Sequence, residues 1–382
     1  MVDLRPWTLG LALALLGLGL EAQVVTPVEG IRLDIPADWE PVLCKGRLHV
    51  FSSEGRNQIL SPGDEAPQCD PVHFSPALQP VCGPEGPLAL DREGNLWQLG
   101  PGLPKTIQAG LKDAVGLWAD ASGPTILFRN RLVRPNGQPV TLPFEALGGN
   151  PLPDGGAWVW GASQAARVGP AGDVRWDWKP PSGAPGPAAL DSGTIFAGTS
   201  SGFLIFLRDT DGKERFAYRG GGATPSPPVI SGGLVIWSSS DHFVRAVRIK
   251  DGQLAWQFRG LGRPVFGPFP VTAGLLVAES GGNRLIILEP ATGKDLWTWS
   301  LPSGAMLKAP AASGETAAVL AWDESSTPLL FSLKLPLKLP LKPTCRPSFT
   351  SRRRGYTSSL RPGCVSRPTG KSDSSSIEGK LA

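Results

Sequence analysis

The strongest constraint on this chain is a landmark that returns about every forty residues. A turn glycine is followed four positions later by an aromatic: Gly172 by Trp176, Gly212 by Phe216, Gly252 by Trp256, and Gly293 by Trp297. The steps between these glycines are 40, 40 and 41 residues. Upstream, Gly137, Gly94 and Gly55 keep the turn and lose the aromatic. A second landmark, a proline leading to a glycine and a short apolar run, keeps the same beat. It occurs at Pro187/Gly193, Pro228/Gly233, Pro270/Gly274 and Pro310/Gly314, with earlier copies at Pro41/Gly46, Pro80/Gly86, Gly116 and Pro151/Gly155. Such self-similarity marks a fold built from one stacked supersecondary unit, and here it counts eight units.

Within a unit, apolar runs such as Leu234–Trp237 and Phe243–Ile249 are separated by Ser/Gly/Asp turns. Asp251-Gly252 then leads into a run carrying the aromatic. Asp-Gly between apolar runs is a strong hairpin signal, because both residues tolerate positive φ. No helical periodicity appears after the N-terminal stretch. The pattern predicts an all-β protein, a β-propeller of eight blades, each a four-stranded antiparallel sheet, with seven blades as the alternative. The eighth unit stops before its Gly-x-x-x-Trp strand. The alternating Ile31-Arg-Leu-Asp-Ile35 could supply that strand from the other end of the chain.

The chain ends read differently from its body. Arg5 followed by the apolar stretch Trp7–Leu20 reads as a signal peptide over residues 1–22, too short to span a bilayer. This predicts export, to the periplasm or outside the cell, with no transmembrane span after cleavage. The propeller is expected over 23–333. Residues 334–382 open with Lys-Leu-Pro-Leu repeats and carry eleven bases against two acids. Proline at every fourth position rules out a helix or a central strand, so a disordered basic Pro/Ser-rich tail is expected. An anionic contact surface and replacement of the natural end by slippage in a simple DNA repeat are the alternatives for it. The body carries 26 bases and 31 acids, which gives no support to a nucleic-acid role. Thirteen tryptophans argue for a packed core despite 48 glycines and 40 prolines. Among the five cysteines, Cys44 and Cys82 fall at matching places in successive units, so Cys44–Cys82 or Cys69–Cys82 could bridge.

The segments Ala246–Trp256 and Ile287–Trp297, with Phe206–Phe216 as a looser copy, resemble the tryptophan-docking repeat of PQQ-like (quinoprotein alcohol dehydrogenase-like) propellers. The resemblance implies that the aromatic packs on the glycine-containing peptide of the next blade, beside a small residue ten positions upstream. The docking residues would be Trp176, Gly212, Phe216, Ala246, Gly252, Trp256, Gly293 and Trp297. Ala246 fits the small position, whereas Ile287 and Phe206 depart from it. The family divides into quinone-dependent dehydrogenases and non-enzymatic BamB-type scaffolds, and this chain reads nearer the scaffolds. The vicinal cysteine pair that the resemblance would require for the dehydrogenases is missing, and no calcium-ligand set can be assigned.

Other candidates have plainer readings. Ser240-Asp241-His242 are adjacent and cannot converge as a triad must. His49 is expected to line a blade. Asp209-Thr-Asp211-Gly212 has the look of a calcium loop but sits where a hairpin belongs. Gly220–Gly222 and Gly281-Gly282 precede no helix, so they read as flexible turns rather than phosphate cradles. No catalytic, cofactor-binding or metal residue is assigned, and no cofactor. The expectation is a monomeric, exported, non-catalytic propeller that binds protein partners, in envelope or outer-membrane protein assembly. A quinone-dependent dehydrogenase or a propeller binding a small molecule or sugar is the alternative.

Overall fold

The computed structural model describes residues 30–335, except 62–67, 70–74, 100–103, 121, 136, 263–264, 280–282, 302–305, 308–309 and 324. The expected signal peptide and almost all of the expected tail lie outside the described residues, as do His73, Gly281 and Gly282. Among the described residues no helix is long and apolar enough to cross a membrane.

The chain forms eight antiparallel sheets, seven of which are four-stranded meanders of consecutive strands. These blades occupy 42–69, 81–108, 114–141, 146–178, 185–219, 229–259 and 265–300. Blade 8 comprises Met306–Leu307 and Ala311–Ser313, both paired with Thr316–Trp322, then Pro328–Lys334. Its outermost strand is Ile31–Arg32, paired antiparallel as Ile31 with Leu330 and Arg32 with Leu329. The first strand of each blade touches the first strand of the next, and Val42–Cys44 touches Ala311–Ser313, so the ring of eight innermost strands is closed. The architecture is an eight-bladed β-propeller, closed by its N-terminal strand.

Local chemistry explains the beat. Each blade has a positive-φ glycine where its first strand turns into its second: Gly46, Gly86, Gly123, Gly155, Gly193, Gly233, Gly274 and Gly314. In blades 1, 5 and 6 both turn residues are positive (Lys45/Gly46, Ser192/Gly193, Gly232/Gly233). These are two-residue type I′ turns, whose twist matches that of the strands they join. The sequence reading placed the blade-3 landmark at Gly116, which instead lies within the strand Ala114–Asp120, while Gly123 makes the turn.

The third-to-fourth-strand hairpins repeat one bonding scheme in blades 5, 6 and 7. The N–H groups of Gly212, Gly252 and Gly293 donate to the carbonyls of Arg208, Arg248 and Glu289. The residue before each glycine (Asp211, Asp251 or Thr292) uses a side-chain oxygen to accept the N–H of Lys213, Gln253 or Lys294. That is why Asp or Thr precedes the glycine. Gly55 and Gly94 do not belong to this series. They sit between the second and third strands of blades 1 and 2, on the opposite end of the strands. Blades 1 and 2 have drifted in sequence, and an Asp/Glu-Gly turn looks the same at either end.

The cores lie between blades and are built mainly from second and third strands, as in the cluster of Leu276, Leu285, Ala317, Val319 and Phe331 between blades 7 and 8. The blade 8–1 core takes Leu33 and Ile35, each 4% exposed, from the segment after the closing strand. Burying a leucine or isoleucine contributes about 1.5–3 kcal/mol. A chain lacking residues up to Pro36 loses both side chains and the strand cover of Leu330. It should therefore melt at least several degrees lower by circular dichroism, with a broadened transition. A melt identical to the full chain would show that the N-terminal strand does not close the ring.

Candidate functional site

The residues singled out from the sequence fall at the seams between blades. A methyl group built on Gly212 would lie 2.6 Å from the Trp176 ring, and one on Gly293 would lie 2.3 Å from the Trp256 ring. One on Gly252 would meet Phe216 at 3.1 Å, and one on Gly172 would meet Val140 at 3.4 Å. In each case an outermost-strand side chain of one blade rests on the hairpin glycine of the next. The two indoles also donate across the seam, from Trp176 Nε1 to the Asp209 carbonyl at 2.7 Å and from Trp256 Nε1 to the Pro290 carbonyl at 3.0 Å. Both acceptors lie three residues before the receiving glycine. Phe216 makes the same contact without a donor.

Ala246 is fully buried and directly opposite Trp256, while Phe206 faces Phe216 edge-on with centroids 5.8 Å apart. Ile287 lies opposite Trp297, and no described glycine receives Trp297. The reason is topological: the outer strand of blade 8 comes from the N-terminus, so its third and fourth strands are not joined by a hairpin.

Sequence reasoning missed the polar latches. Arg167 is fully buried and lies opposite Trp176, while the small residue ten positions upstream, Ala166, lies opposite Asp177. Its Nε donates to Asp209 Oδ1 at 2.7 Å across the seam, and its Nη2 pairs with Asp154. Asp209 therefore binds a guanidinium, which corrects the calcium-loop appearance in favour of the hairpin. Asp154 is desolvated, which alone would raise its pKa. The Gly156 N–H and the Arg167 guanidinium outweigh this and hold it below the usual carboxylate range. Glu279, fully buried, accepts the Leu261 N–H at 3.0 Å and pairs with Arg284 at 2.6 Å. Asp241 pairs with Arg245, at 2.6 Å. An arginine opposite the seam aromatic, where the sister repeats carry Phe206, Ala246 and Ile287, was the available signal for Arg167.

Gly220–Gly222 are tightly packed rather than flexible. A methyl on Gly221 would lie 2.2 Å from Asp241 Oδ2, and one on Gly222 would lie 2.5 Å from Ser240 Oγ. His242 occupies the turn before Phe243–Arg248 with φ +75°. Among the described residues no group of three or more His, Cys, Asp or Glu could hold a metal ion.

The innermost strands include Ala146-Leu-Gly-Gly-Asn-Pro151, Pro185-Gly-Pro-Ala-Ala-Leu-Asp191 and Val265-Phe-Gly-Pro-Phe-Pro-Val271. The only acidic or basic side chains in the eight innermost strands are Asp120 and Asp191, each at a strand end and each bonded within its own turn. Asn150 is committed to the scaffold: it donates to the Ala188 carbonyl at 2.9 Å and accepts the Ala188 N–H at 3.1 Å, joining blades 4 and 5.

Residues 153–266 and 244–329 match the protein family described as outer membrane protein assembly factor BamB. The repeats are PQQ-like. The match lies within blades 4 to 8, and the eight-bladed fold extends beyond it. None of the curated proteins matches the chain. Solved structures share the fold alone. The computationally designed Ika8 protein matches at 11% identity over 80% of this chain and 100% of its own, with a TM-score of 0.63. Sqt1 of Saccharomyces cerevisiae matches at 10% identity over 81% of this chain and 100% of its own, with a TM-score of 0.61. BamB of Moraxella catarrhalis matches at 19% identity over 50% of this chain and 65% of its own; its TM-score of 0.37 carries no argument.

The seam contact separates cleanly from backbone strain. Gly193 and Gly212 lie in the same blade at φ +73° and +70°, but a methyl on Gly193 meets nothing within 4 Å. Gly193→Ala should cost about 1–2 kcal/mol, the left-handed penalty alone. Gly212→Ala should cost a further 1–3 kcal/mol or so for displacing the Trp176 ring. Equal urea midpoints for the two variants would show that the ring contact contributes nothing.

His49 gives a pH signature. Burial, with a smaller contribution from Arg47, lowers its pKa from 6.5 to about 4. Below pH 6.5 the unfolded chain takes up a proton that the folded chain refuses, so stability is full above that pH and declines down to about 4. The loss should approach roughly 3 kcal/mol. Urea midpoints between pH 7 and 4.5 should fall for the native chain and much less for His49→Gln.

Proposed function

We propose that this PQQ-like propeller is an exported, non-catalytic protein-interaction scaffold acting in envelope assembly, with outer-membrane protein assembly as the process. The observation that carries the reading is the match of residues 153–329 to the family described as an outer-membrane assembly factor. The inner ring supports it. Its charged groups are two carboxylates held in their own turns, and its one carboxamide, Asn150, is bonded to the neighbouring blade. Rigid blades with surface loops suit a scaffold, because the seams fix the frame while connecting loops vary.

The first 22 residues read as the export signal, so the mature chain would work in the periplasm. There the Cys44–Cys82 bridge is compatible with an oxidising compartment. The docking residues Trp176, Gly212, Phe216, Ala246, Gly252, Trp256, Gly293 and Trp297 serve the frame in this reading and touch no partner.

In-cell cross-linking followed by mass spectrometry should recover a component of the outer-membrane assembly machinery joined to lysines on the blade loops. Deleting the gene should lower the level of outer-membrane β-barrel proteins. Dye-linked dehydrogenase activity after reconstitution with pyrroloquinoline quinone and calcium would overturn the reading in favour of an enzyme.

A further inference from the structure

A second feature, independent of the scaffold reading, lies at the seam of blades 1 and 2. A cavity of about 240 Å³ opens between their first-to-second-strand turns. It is lined by Lys45 and Arg47 from one turn, Glu85 and Gly86 from the other, and His49 deeper within. The Cys44–Cys82 bridge joins the two innermost strands at this place, with Cα atoms 5.2 Å apart, so the two turns are covalently held. Water at roughly 30 Å³ per molecule would fill this volume with about eight molecules, room for a carboxylate on a short carbon stem.

His49 is the informative residue. It is 6% exposed, sits between Val42 and Ile59 in the sheet, and stacks on Phe51 with ring centroids 6.3 Å apart. Its ring nitrogens make no hydrogen bond with a described residue, and neither is among the sealed-off side-chain atoms that lack a partner. The ring lines the cavity, where it can meet a ligand. The other sides of this seam are apolar, with Ala89 and Leu99 from blade 2. Charged groups around the cavity are the cations Lys45 and Arg47 on the His49 side and the anion Glu85 opposite. Lys45 and Arg47 are exposed at the same turn, and neither is in an ion pair with a described residue.

We infer that this cavity is a carboxylate-binding site, in which His49 donates its N–H to a ligand oxygen while Lys45 and Arg47 supply the opposing charge. A carboxylate accepts from several donors at once, and the guanidinium offers it a paired contact. The source of the carboxylate is a free small acid or an acidic side chain of a bound protein. The ligand also favours the imidazolium form, so affinity should strengthen as pH falls.

The chain has only three histidines, so the His49 ring resonance is assignable by comparison with His49→Gln. The full disulfide-bonded protein is titrated by NMR with succinate and, separately, with a short Glu-rich peptide, against sodium chloride at equal ionic strength. Succinate at tens of millimolar should raise the His49 pKa by about one pH unit or more, and the response should vanish in Lys45→Gln/Arg47→Gln. Both substitutions are at exposed positions, and an unchanged spectrum elsewhere verifies the fold. A response to the peptide alone would keep the site and assign the carboxylate to a protein partner. No response to either, an equal response to chloride, or a response that survives in the double variant would overturn the inference. None of these outcomes bears on partner binding by the blade loops.

Discussion

The structure depends on one contact repeated at four successive seams, from blade 3 to blade 7: an outer-strand side chain of one blade lying against the hairpin glycine of the next. A blade alone is a small sheet with two apolar faces, and each face is buried only by a neighbour. Stability in such an array is close to a sum of units and nearest-neighbour interfaces. The glycine matters at this point for two coincident reasons. The hairpin needs φ near +70° there, and the ring of Trp176 or Trp256 occupies the space a Cβ would take. Where the docking group is tryptophan, its N–H adds a bond to the backbone of the next blade. A large flat ring gives much buried area for few rotatable bonds, which suits a seam that must hold one register.

Seams without that contact are held by other means, and the substitutes follow from topology. Blade 8 takes its outer strand from the N-terminus, so it has no third-to-fourth-strand hairpin to present a glycine to Trp297 of blade 7, and the two ends of the ring join at blades 8 and 1. Closure there rests on the pairing of Ile31 and Arg32 and on burial of Leu33 and Ile35. Blades 1 and 2 have a covalent link between their innermost strands instead. Closing a 38-residue separation stabilises by roughly 4 kcal/mol on the chain-entropy argument. The seam of blades 4 and 5 has the Trp176 contact and a polar latch as well, in which Arg167 joins Asp154 and Asp209. A buried ion pair adds little net stability but is costly to break on one side, so its effect is to fix which blade surfaces meet.

The blade count was legible from turn chemistry, and the N-terminal closing strand from the alternation of Ile31–Ile35 and the missing last strand of the eighth unit. Every first turn requires positive φ, which leaves a glycine in all eight copies, including those whose strands have drifted. The hairpin landmark was legible with its aromatic in blades 4 to 7 and by its glycine alone, Gly137, in blade 3. In blades 1 and 2 a similar turn occurs at the other end of the sheet, and period alone cannot tell the ends apart. Arg167 was hidden because a single sequence shows a charge without its burial. The compactness of Gly220–Gly222 was hidden because the pressure comes from Ser240 and Asp241, which only the fold brings near. Cys44 and Cys82 were visible as matched positions, but Cys69 competed for the bridge until the strands placed it at the exposed outer edge of blade 1.

The same division bears on what the molecule can do. In blades 4 to 7 the buried polar groups are bonded to the protein itself: Asn150 to Ala188 and Arg167 to Asp209 across a seam, and Glu279 to Arg284 within blade 7 and to the Leu261 N–H ahead of that blade. Each of these groups is fixed by partners of the protein's own. Blades 1 and 2 differ. Their seam is secured by a disulfide, which needs no side-chain donors, and this leaves His49, Lys45 and Arg47 uncommitted at a cavity. A covalent link can therefore free polar residues that elsewhere serve as latches, and ligand chemistry is best sought at the seam that has one.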